Sequence, residues 1–347
     1  MNFSNSLTQW YLNNKRDLPW RNTRNPYHIW LSEIILQQTR VAQGTPYFLN
    51  FIETFPTVFE LANAPEEQVL KLWQGLGYYS RARNLHKTAQ FVAFERNGIF
   101  PNTYIELIKL KGIGEYTAAA IASFAYDEAV PVVDGNVFRV LSRYFDIPTD
   151  ISLASAKKEF SATAFEVMDK NQPALFNQAI MEFGAIQCVP KNPNCDVCVF
   201  NNSCLALQKK NVSERPVKLK KIKIQERHIN YLIIIDQNGR IPIQKRTEKG
   251  IWQNLYEFPN IETIEFTPDS EIIECIRQNM HFSTEIESVF RLNLNKITHK
   301  LSHQHLHINF WEVHVLKDIE GTYERQELIK FPFPIVIYNF IENNYKF

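Results

Sequence analysis

The sequence predicts an all-helical N-terminal region followed by a small α+β C-terminal domain. Up to about residue 205 apolar residues recur at helical spacing, and beyond residue 229 they recur at strand spacing. Between the two lies a basic stretch, Lys209, Lys210, Arg215, Lys218, Lys220, Lys221 and Lys223, broken by Pro216. It is poor in periodic apolar positions and reads as a connector. The expected boundaries are therefore 1–207, 208–228 and 229–347.

Each element has its own signal. Leu7, Trp10 and Tyr11 mark one face of a first helix, and further helical windows run from Leu61 to Trp73 and from Tyr104 to Leu110. Others cover Thr117 to Tyr126 and Val137 to Phe145. Past the connector, Tyr231 to Ile235 is a short buried run, and Asn238-Gly239 separates it from Ile241 and Ile243, which signals a β-hairpin. A helix is expected around Glu271 to Met280, with Ile272, Ile273 and Ile276 on one face. The alternation Leu306, Ile308, Phe310 marks a later strand.

A chain of 347 residues exceeds one small core. With 45% hydrophobic and 22% charged residues the composition excludes a disordered chain. The net charge of +1 conceals an asymmetry: residues 1–227 hold 26 Lys/Arg against 21 Asp/Glu, and the remainder 12 against 16. A polyanionic partner is to be sought on the basic half. No apolar stretch has the length needed to span a bilayer, and Met1 to Trp20 lack the pattern of a secretion signal. The expectation is a cytoplasmic monomer with no membrane attachment.

Four of the five cysteines follow the spacing Cys188-x6-Cys195-x2-Cys198-x5-Cys204. In a reducing compartment such a group is a ligand set rather than two disulfides. An iron–sulfur cubane takes one thiolate per iron. Structural zinc, the alternative, generally uses two short knuckles, whereas only one pair here is that close and no nearby histidine completes a second. Cys275 is left as a packing residue on a helix.

Leu110-Lys111-Gly112-Ile113-Gly114 precedes a helix of small residues, Thr117-Ala118-Ala119-Ala120. Two glycines around one apolar residue permit a tight turn with exposed backbone N–H groups, at the positive end of the next helix. Such a turn can hold a phosphate. Two carboxylates also stand out. Glu33 lies in Leu31-Ser32-Glu33-Ile34-Ile35-Leu36, either on an exposed helix face or as a buried acid whose raised pKa keeps a proton available. Asp134, before Gly135-Asn136, is either an ordinary N-cap or a carboxylate kept anionic by the helix that follows. One protonated and one ionised acid are what cleavage of a glycosidic bond through a cationic sugar uses.

Glu33 to Thr39, Trp73 to Tyr79, Leu110 to Ala118, Val133 to Val137 and the four cysteines together resemble the MutY-type adenine DNA glycosylases. These belong to the endonuclease III-like helix–hairpin–helix superfamily. The likeness covers about residues 7 to 207 and continues more weakly to the C-terminus. It implies a helix–hairpin–helix glycosylase region with one [4Fe-4S] cluster on Cys188, Cys195, Cys198 and Cys204. The implied partner is double-stranded DNA with adenine opposite 8-oxoguanine or guanine, which places the chain with the nucleoid. Residue by residue, Glu33 would protonate the adenine and Asp134 would stabilise the sugar cation, with Asn136 and Tyr116 holding both. Gly112 and Gly114 would contact the DNA backbone, while Gln38 and Tyr78 would wedge into the duplex as the adenine flips out. Trp20, Arg21 and Gln178 correspond to adenine-pocket positions, although Trp20 and Tyr78 also read as core aromatics.

Strand-cleaving relatives carry a lysine where this chain has Tyr116, which cannot form a Schiff base, so a monofunctional enzyme is expected. Gln244-Lys245-Arg246 and Gly250 to Pro259 resemble the Nudix-like recognition domain of the same family. The scattered acids around Glu271 to Glu285 lack the arrangement a Nudix hydrolase needs, which leaves 8-oxoguanine recognition as the implied role. Its recognition loop, His299-Lys300-Leu301-Ser302-His303, has leucine where the family has an aromatic, but keeps Ser302 and His303. His299, His303, His305 and His307 also allow a metal site. Two rival readings are a bifunctional pyrimidine-damage glycosylase and a non-catalytic iron–sulfur DNA-binding protein.

Overall fold

The computed structural model describes residues 2–219, 224–279, 286–295 and 297–345. Lys220, Lys221 and Lys223 of the expected connector, together with Met280 and Glu285, lie outside the described residues. The chain forms two compact units, Met1–Asn63 with Asn84–Lys220, and Ala64–Arg83 with Lys221–Phe347.

The helices in chain order are α1 (Phe3–Asn14), α2 (Pro26–Ile35), α3 (Val41–Thr54), α4 (Val58–Asn63), α5 (Glu66–Leu72) and α6 (Ser80–Gln90). They continue as α7 (Tyr104–Leu107), α8 (Glu115–Tyr126), α9 (Gly135–Tyr144), α10 (Ala154–Val167), α11 (Pro173–Ile186) and α12 (Leu205–Gln208). The helical window expected over Leu61 to Trp73 is two helices, because Pro65 has no N–H with which to continue α4 and instead starts α5. Asn25 starts α2 by accepting a hydrogen bond from the Tyr27 N–H, with Pro26 at the first helical position.

The core of the first unit joins its two ends. Phe3, Leu7, Trp10 and Tyr11 of α1 pack with Val137, Val140 and Leu141 of α9 and with Phe176, Ile180 and Phe183 of α11. Phe200, from the segment carrying the cysteines, stacks on Phe3 at 4.8 Å. A second contact, between α2 and α8, relies on size. Helix α8 reads Glu-Tyr-Thr-Ala-Ala-Ala-Ile-Ala-Ser-Phe-Ala-Tyr and is buried from Thr117 to Phe124. Short side chains let a close-packed interior form with the helices near each other.

In the second unit, β1 (Gln225–Ile235) is followed by β2 (Ile241–Pro242), β3 (Gln244–Lys245), β4 (Tyr256–Glu257) and β5 (Asn260–Thr263). After α13 (Asp269–Asn279) come β6 (Ile286–Arg291), β7 (Ile297–Lys300), β8 (Gln304–Val315), β9 (Thr322–Tyr323) and α14 (Ile335–Asn344). The main sheet runs β5-β1-β8-β6, with β1 and β8 parallel and β7 antiparallel to β8. Its two faces are covered by different helices. Leu232, Ile234, Trp311 and Val313 meet Ile272 and Ile276 of α13, whereas Phe310 stacks on Phe340 of α14 at 3.8 Å.

The expected hairpin at Asn238-Gly239 is corrected. The turn forms, with Asp236 accepting from the N–H groups of Asn238 and Arg240 and Gly239 at φ +74°. Beyond it, however, the ladder of β2 is with β9, and toward β1 the turn is closed by the Asp236 N–H donating to the Arg240 carbonyl at 3.1 Å. Pro242 also lacks a ladder donor.

Ala120 lies one turn beyond Tyr116 and Thr117, on the side of α8 facing α2, and is fully buried. Replacing it by leucine overpacks this contact. Ala120→Leu is expected to lower stability by about 1–3 kcal/mol in urea unfolding.

Candidate active site

Glu33 is buried on α2, at 6% exposure, and is not the exposed helix position that the sequence alone allowed. Its Oε2 accepts a 2.6 Å hydrogen bond from the Tyr116 hydroxyl of α8. Gln37 of the segment after α2 donates to Thr117 Oγ1 at 3.2 Å, a second link to α8. Burial pushes the Glu33 carboxyl up to about 7. The Tyr116 bond opposes this rise, the charge of Asp134 adds to it, and Arg21 tempers it. The Tyr116 hydroxyl is itself held well above its ordinary value, mainly by burial, so it remains a donor.

Asp134 is the N-cap of α9. Its Oδ1 accepts from the N–H groups of Asn136 and Val137, both at 2.8 Å, and its Oδ2 accepts from Asn136 Nδ2 at 2.7 Å. Asp134 is thus the N-cap that the sequence allowed, with Asn136 bonded to both of its oxygens. The expected direction of its titration needs correcting. Three donors favour the anion, but burial outweighs them and the carboxyl sits above its ordinary value.

Asn136 is fixed in turn by Arg139, whose Nη2 donates to Asn136 Oδ1 at 2.8 Å and to the Gly184 carbonyl at 2.7 Å. The same guanidinium donates through Nε to the Cys188 carbonyl at 2.7 Å. One turn on, Arg143 donates to the Cys188 sulfur at 3.4 Å and to the carbonyls of Val189 and Pro190. Cys188, Cys195, Cys198 and Cys204 line one apolar cavity of 30 Å³ together with Tyr144, Phe183 and Phe200. The Phe200 N–H donates to the Cys198 sulfur at 3.4 Å. Burial raises the thiols of Cys195 and Cys204 and pushes Cys198 up to about 11. Thiolates there need a cationic centre to compensate them.

Trp20, Arg21 and Gln178 line a common cavity of 240 Å³ with Tyr11 and Phe124. Trp20 is also buried edge-on against Phe48 at 5.4 Å, so it lines the cavity and packs in the core at once. In the hairpin only Gly112 needs to be glycine for its backbone. It has φ +76°, and a Cβ there would fall 2.6 Å from that of Asn84. Gly114 is the extended, exposed N-cap of α8, and a Cβ there would meet open space.

The segment from residue 31 to 164 matches the HhH-GPD superfamily base excision DNA repair protein, and residues 230–343 match the NUDIX domain. An adenine DNA glycosylase of Buchnera aphidicola (subspecies Schizaphis graminum) is 37% identical over 88% of this chain and 86% of its own length. The chain belongs to the adenine DNA glycosylase family. The human adenine DNA glycosylase is 43% identical over 60% of this chain and 40% of its own. A thermostable thymine-DNA glycosylase structure superposes with a TM-score of 0.54 at 27% identity, covering 60% of this chain and 95% of that one. Among the described residues no helix is long and apolar enough to cross a membrane.

Within this glycosylase family member, the remaining predicted site residues are surface features. Gln38 is exposed with φ +55°, a strained backbone for a residue other than glycine. In the second unit Tyr78 is 44% exposed with φ +48°. Arg81 lies over its ring, and Trp73 Nε1 donates to the Gly77 carbonyl beside it, so Tyr78 is no core aromatic. Ser302 and His303 form the exposed tip between β7 and β8, their side chains 3.3 Å apart. The four nearby histidines do not converge: His305 and His307 both reach Glu226, whereas His299 lies against Trp252.

Sequence reading missed Arg139, Arg143 and Glu182. The last is a lone acid in the apolar run Ala179-Ile180-Met181-Glu182-Phe183, the same signal that picked out Glu33.

A Cβ on Gly184 would lie 2.6 Å from the Asn136 Cβ and 2.9 Å from its carbonyl oxygen. Gly184→Ala is expected to displace the Asp134–Asn136 turn, costing about 1–3 kcal/mol of stability and most of the activity of that site, as read by unfolding and turnover together. A second expectation concerns pH. The folded chain keeps a proton on Glu33 up to about 7, whereas the unfolded chain releases it near 4.3. Stability therefore falls as pH rises between these values. Glu33→Gln is expected to be more stable than the parent by roughly 3–4 kcal/mol at pH 8, with the difference vanishing near pH 4 in urea titrations.

Proposed function

We propose that this chain excises adenine from duplex DNA as a monofunctional glycosylase, reading 8-oxoguanine or guanine opposite the target. The observation that carries this is the buried Glu33, hydrogen-bonded to Tyr116 and titrating near neutrality beside Asp134. Protonated Glu33 gives its proton to the adenine ring as the glycosidic bond breaks, a step worth about 10²–10⁴-fold for a positioned donor. The carboxylate of Asp134, held by Asn136, faces the positive charge that develops on the sugar. Water then completes hydrolysis. Tyr116 supplies a hydroxyl where strand cleavage needs an amine, so no covalent imine forms at this position.

Cys188, Cys195, Cys198 and Cys204 would hold one [4Fe-4S] cluster, whose part here is structural. The four line one apolar cavity, and one thiolate per iron is the ligand set that such a cluster takes. Exposed Gly114 at the positive end of α8 suits a backbone phosphate, and exposed Gln38 and Tyr78 suit wedges into the duplex. Trp20, Arg21 and Gln178 would enclose the flipped adenine. Ser302 and His303 would contact 8-oxoguanine.

Glu33→Gln is expected to abolish single-turnover excision while duplex affinity stays within about threefold. Turnover at the parent rate would remove Glu33 from the chemistry, and a borohydride-trapped enzyme–DNA adduct in stoichiometric yield would contradict monofunctionality. Ser302→Ala with His303→Ala is expected to reduce the preference for adenine opposite 8-oxoguanine over guanine by about tenfold. An unchanged ratio would remove the tip from recognition.

A further inference from the structure

Glu182 of α11 is fully buried, and four donors converge on it. The Arg16 N–H and Nε donate to Oε1 at 2.9 and 2.8 Å, while Arg16 Nη2 and Arg21 Nη2 each donate to Oε2 at 2.7 Å. Burial alone would raise this carboxyl, but the two arginines outweigh it and hold the group at about 2. Arg21 has few alternatives: its Nη1 donates to the Arg16 carbonyl at 3.3 Å, and its guanidinium lies 5.7 Å from the Tyr11 ring. The same guanidinium lines the cavity of Trp20 and Gln178 and acts electrostatically on Glu33.

We propose that Glu182 is a positioning residue of the adenine site, holding Arg21 at the wall of this cavity and cancelling part of the positive charge that Glu33 meets. A buried ion pair is not needed for stability, because apolar side chains of similar volume commonly serve as well. What an apolar residue at 182 cannot do is fix the guanidinium and offset its charge. The groups facing Glu33 are Tyr116 from α8, Asp134 at the start of α9 and Arg21. Those facing Arg21 are Tyr11, Arg16 and Glu182, with Lys15 and Arg24 also lining the cavity. Removing the Glu182 charge leaves two guanidiniums uncompensated, which favours the carboxylate form of Glu33.

The inference rests on Glu33 as the proton donor, and the pH profile of single-turnover excision tests the two separately. The parent rate falls at high pH as Glu33 loses its proton. In Glu182→Gln this fall is expected about one pH unit lower, with roughly tenfold slower excision at pH 7.5 and an unchanged low-pH plateau. Glu182→Asp keeps the charge and is expected to keep the parent profile, and Arg21→Gln is expected to move the fall upward. A lowered plateau with the fall in its original place marks a merely structural residue and overturns the inference. If Glu182→Gln does not fold, an unmoved or lowered fall in Arg21→Gln overturns it instead. A parent profile without the high-pH fall, or parent-rate excision by Glu33→Gln, defeats the proton-donor reading itself.

Discussion

The hydrogen bond between Tyr116 and Glu33 exists because α2 and α8 meet on a face of small side chains. A larger residue in the Ala118–Ala122 run would separate the helices and let water reach the carboxyl. Water would then supply the hydration whose absence raises its pKa. The alanines of α8 therefore set the chemistry of an acid on another helix, although none of them touches a substrate in the proposed reaction. The same run carries the hairpin on its N-terminal side, so the turn at Gly112 to Gly114 is fixed relative to Glu33 by a single rigid element.

Helix α9 does for Asp134 what α8 does for Glu33. Its N-terminus is capped by Asp134, and Arg139 and Arg143, four residues apart, project from one side of it. Arg139 grips Asn136 at one end and the Cys188 carbonyl at the other, and Arg143 holds the Cys188 sulfur and the carbonyls that follow. The cysteine segment is thereby anchored to the helix that presents the second carboxylate. Gly184 completes this arrangement, because only a residue without a Cβ lets α11 approach Asn136 so closely.

Much of this was legible in the sequence, for identifiable reasons. Glu33 drew attention as a polar residue breaking an apolar run, and Asp134 as a capping residue at a helix start; both are local patterns. Arg139 was not legible, because its partners Cys188 and Gly184 lie 49 and 45 positions away. The strained backbones of Gln38 and Tyr78 were equally hidden, since neither is glycine. The membership of Ala64–Arg83 in the second unit could not be read from periodicity either. It depends on pairs such as Asn254 with Glu66 and Tyr256 with Glu67, which no window of neighbouring residues contains. The turn at Asn238-Gly239 was read correctly as a turn and wrongly as a hairpin, because the pairing of β2 is decided by a strand 80 residues on.

Glu33 and Glu182 show why residue type and burial together still do not determine function. Both are glutamates on apolar helices, and both are buried. Glu182 receives two guanidiniums and a backbone N–H, so its proton is lost and it acts as fixed negative charge. Glu33 receives one neutral hydroxyl and the repulsion of Asp134, so its proton stays until near-neutral pH. Burial penalises either anion, and the partner decides whether that penalty is met by charge or by keeping the proton. A fold that needs a buried acid must therefore withhold arginines from it. Arg21 acts electrostatically on Glu33, and Glu182 is where its guanidinium is bound.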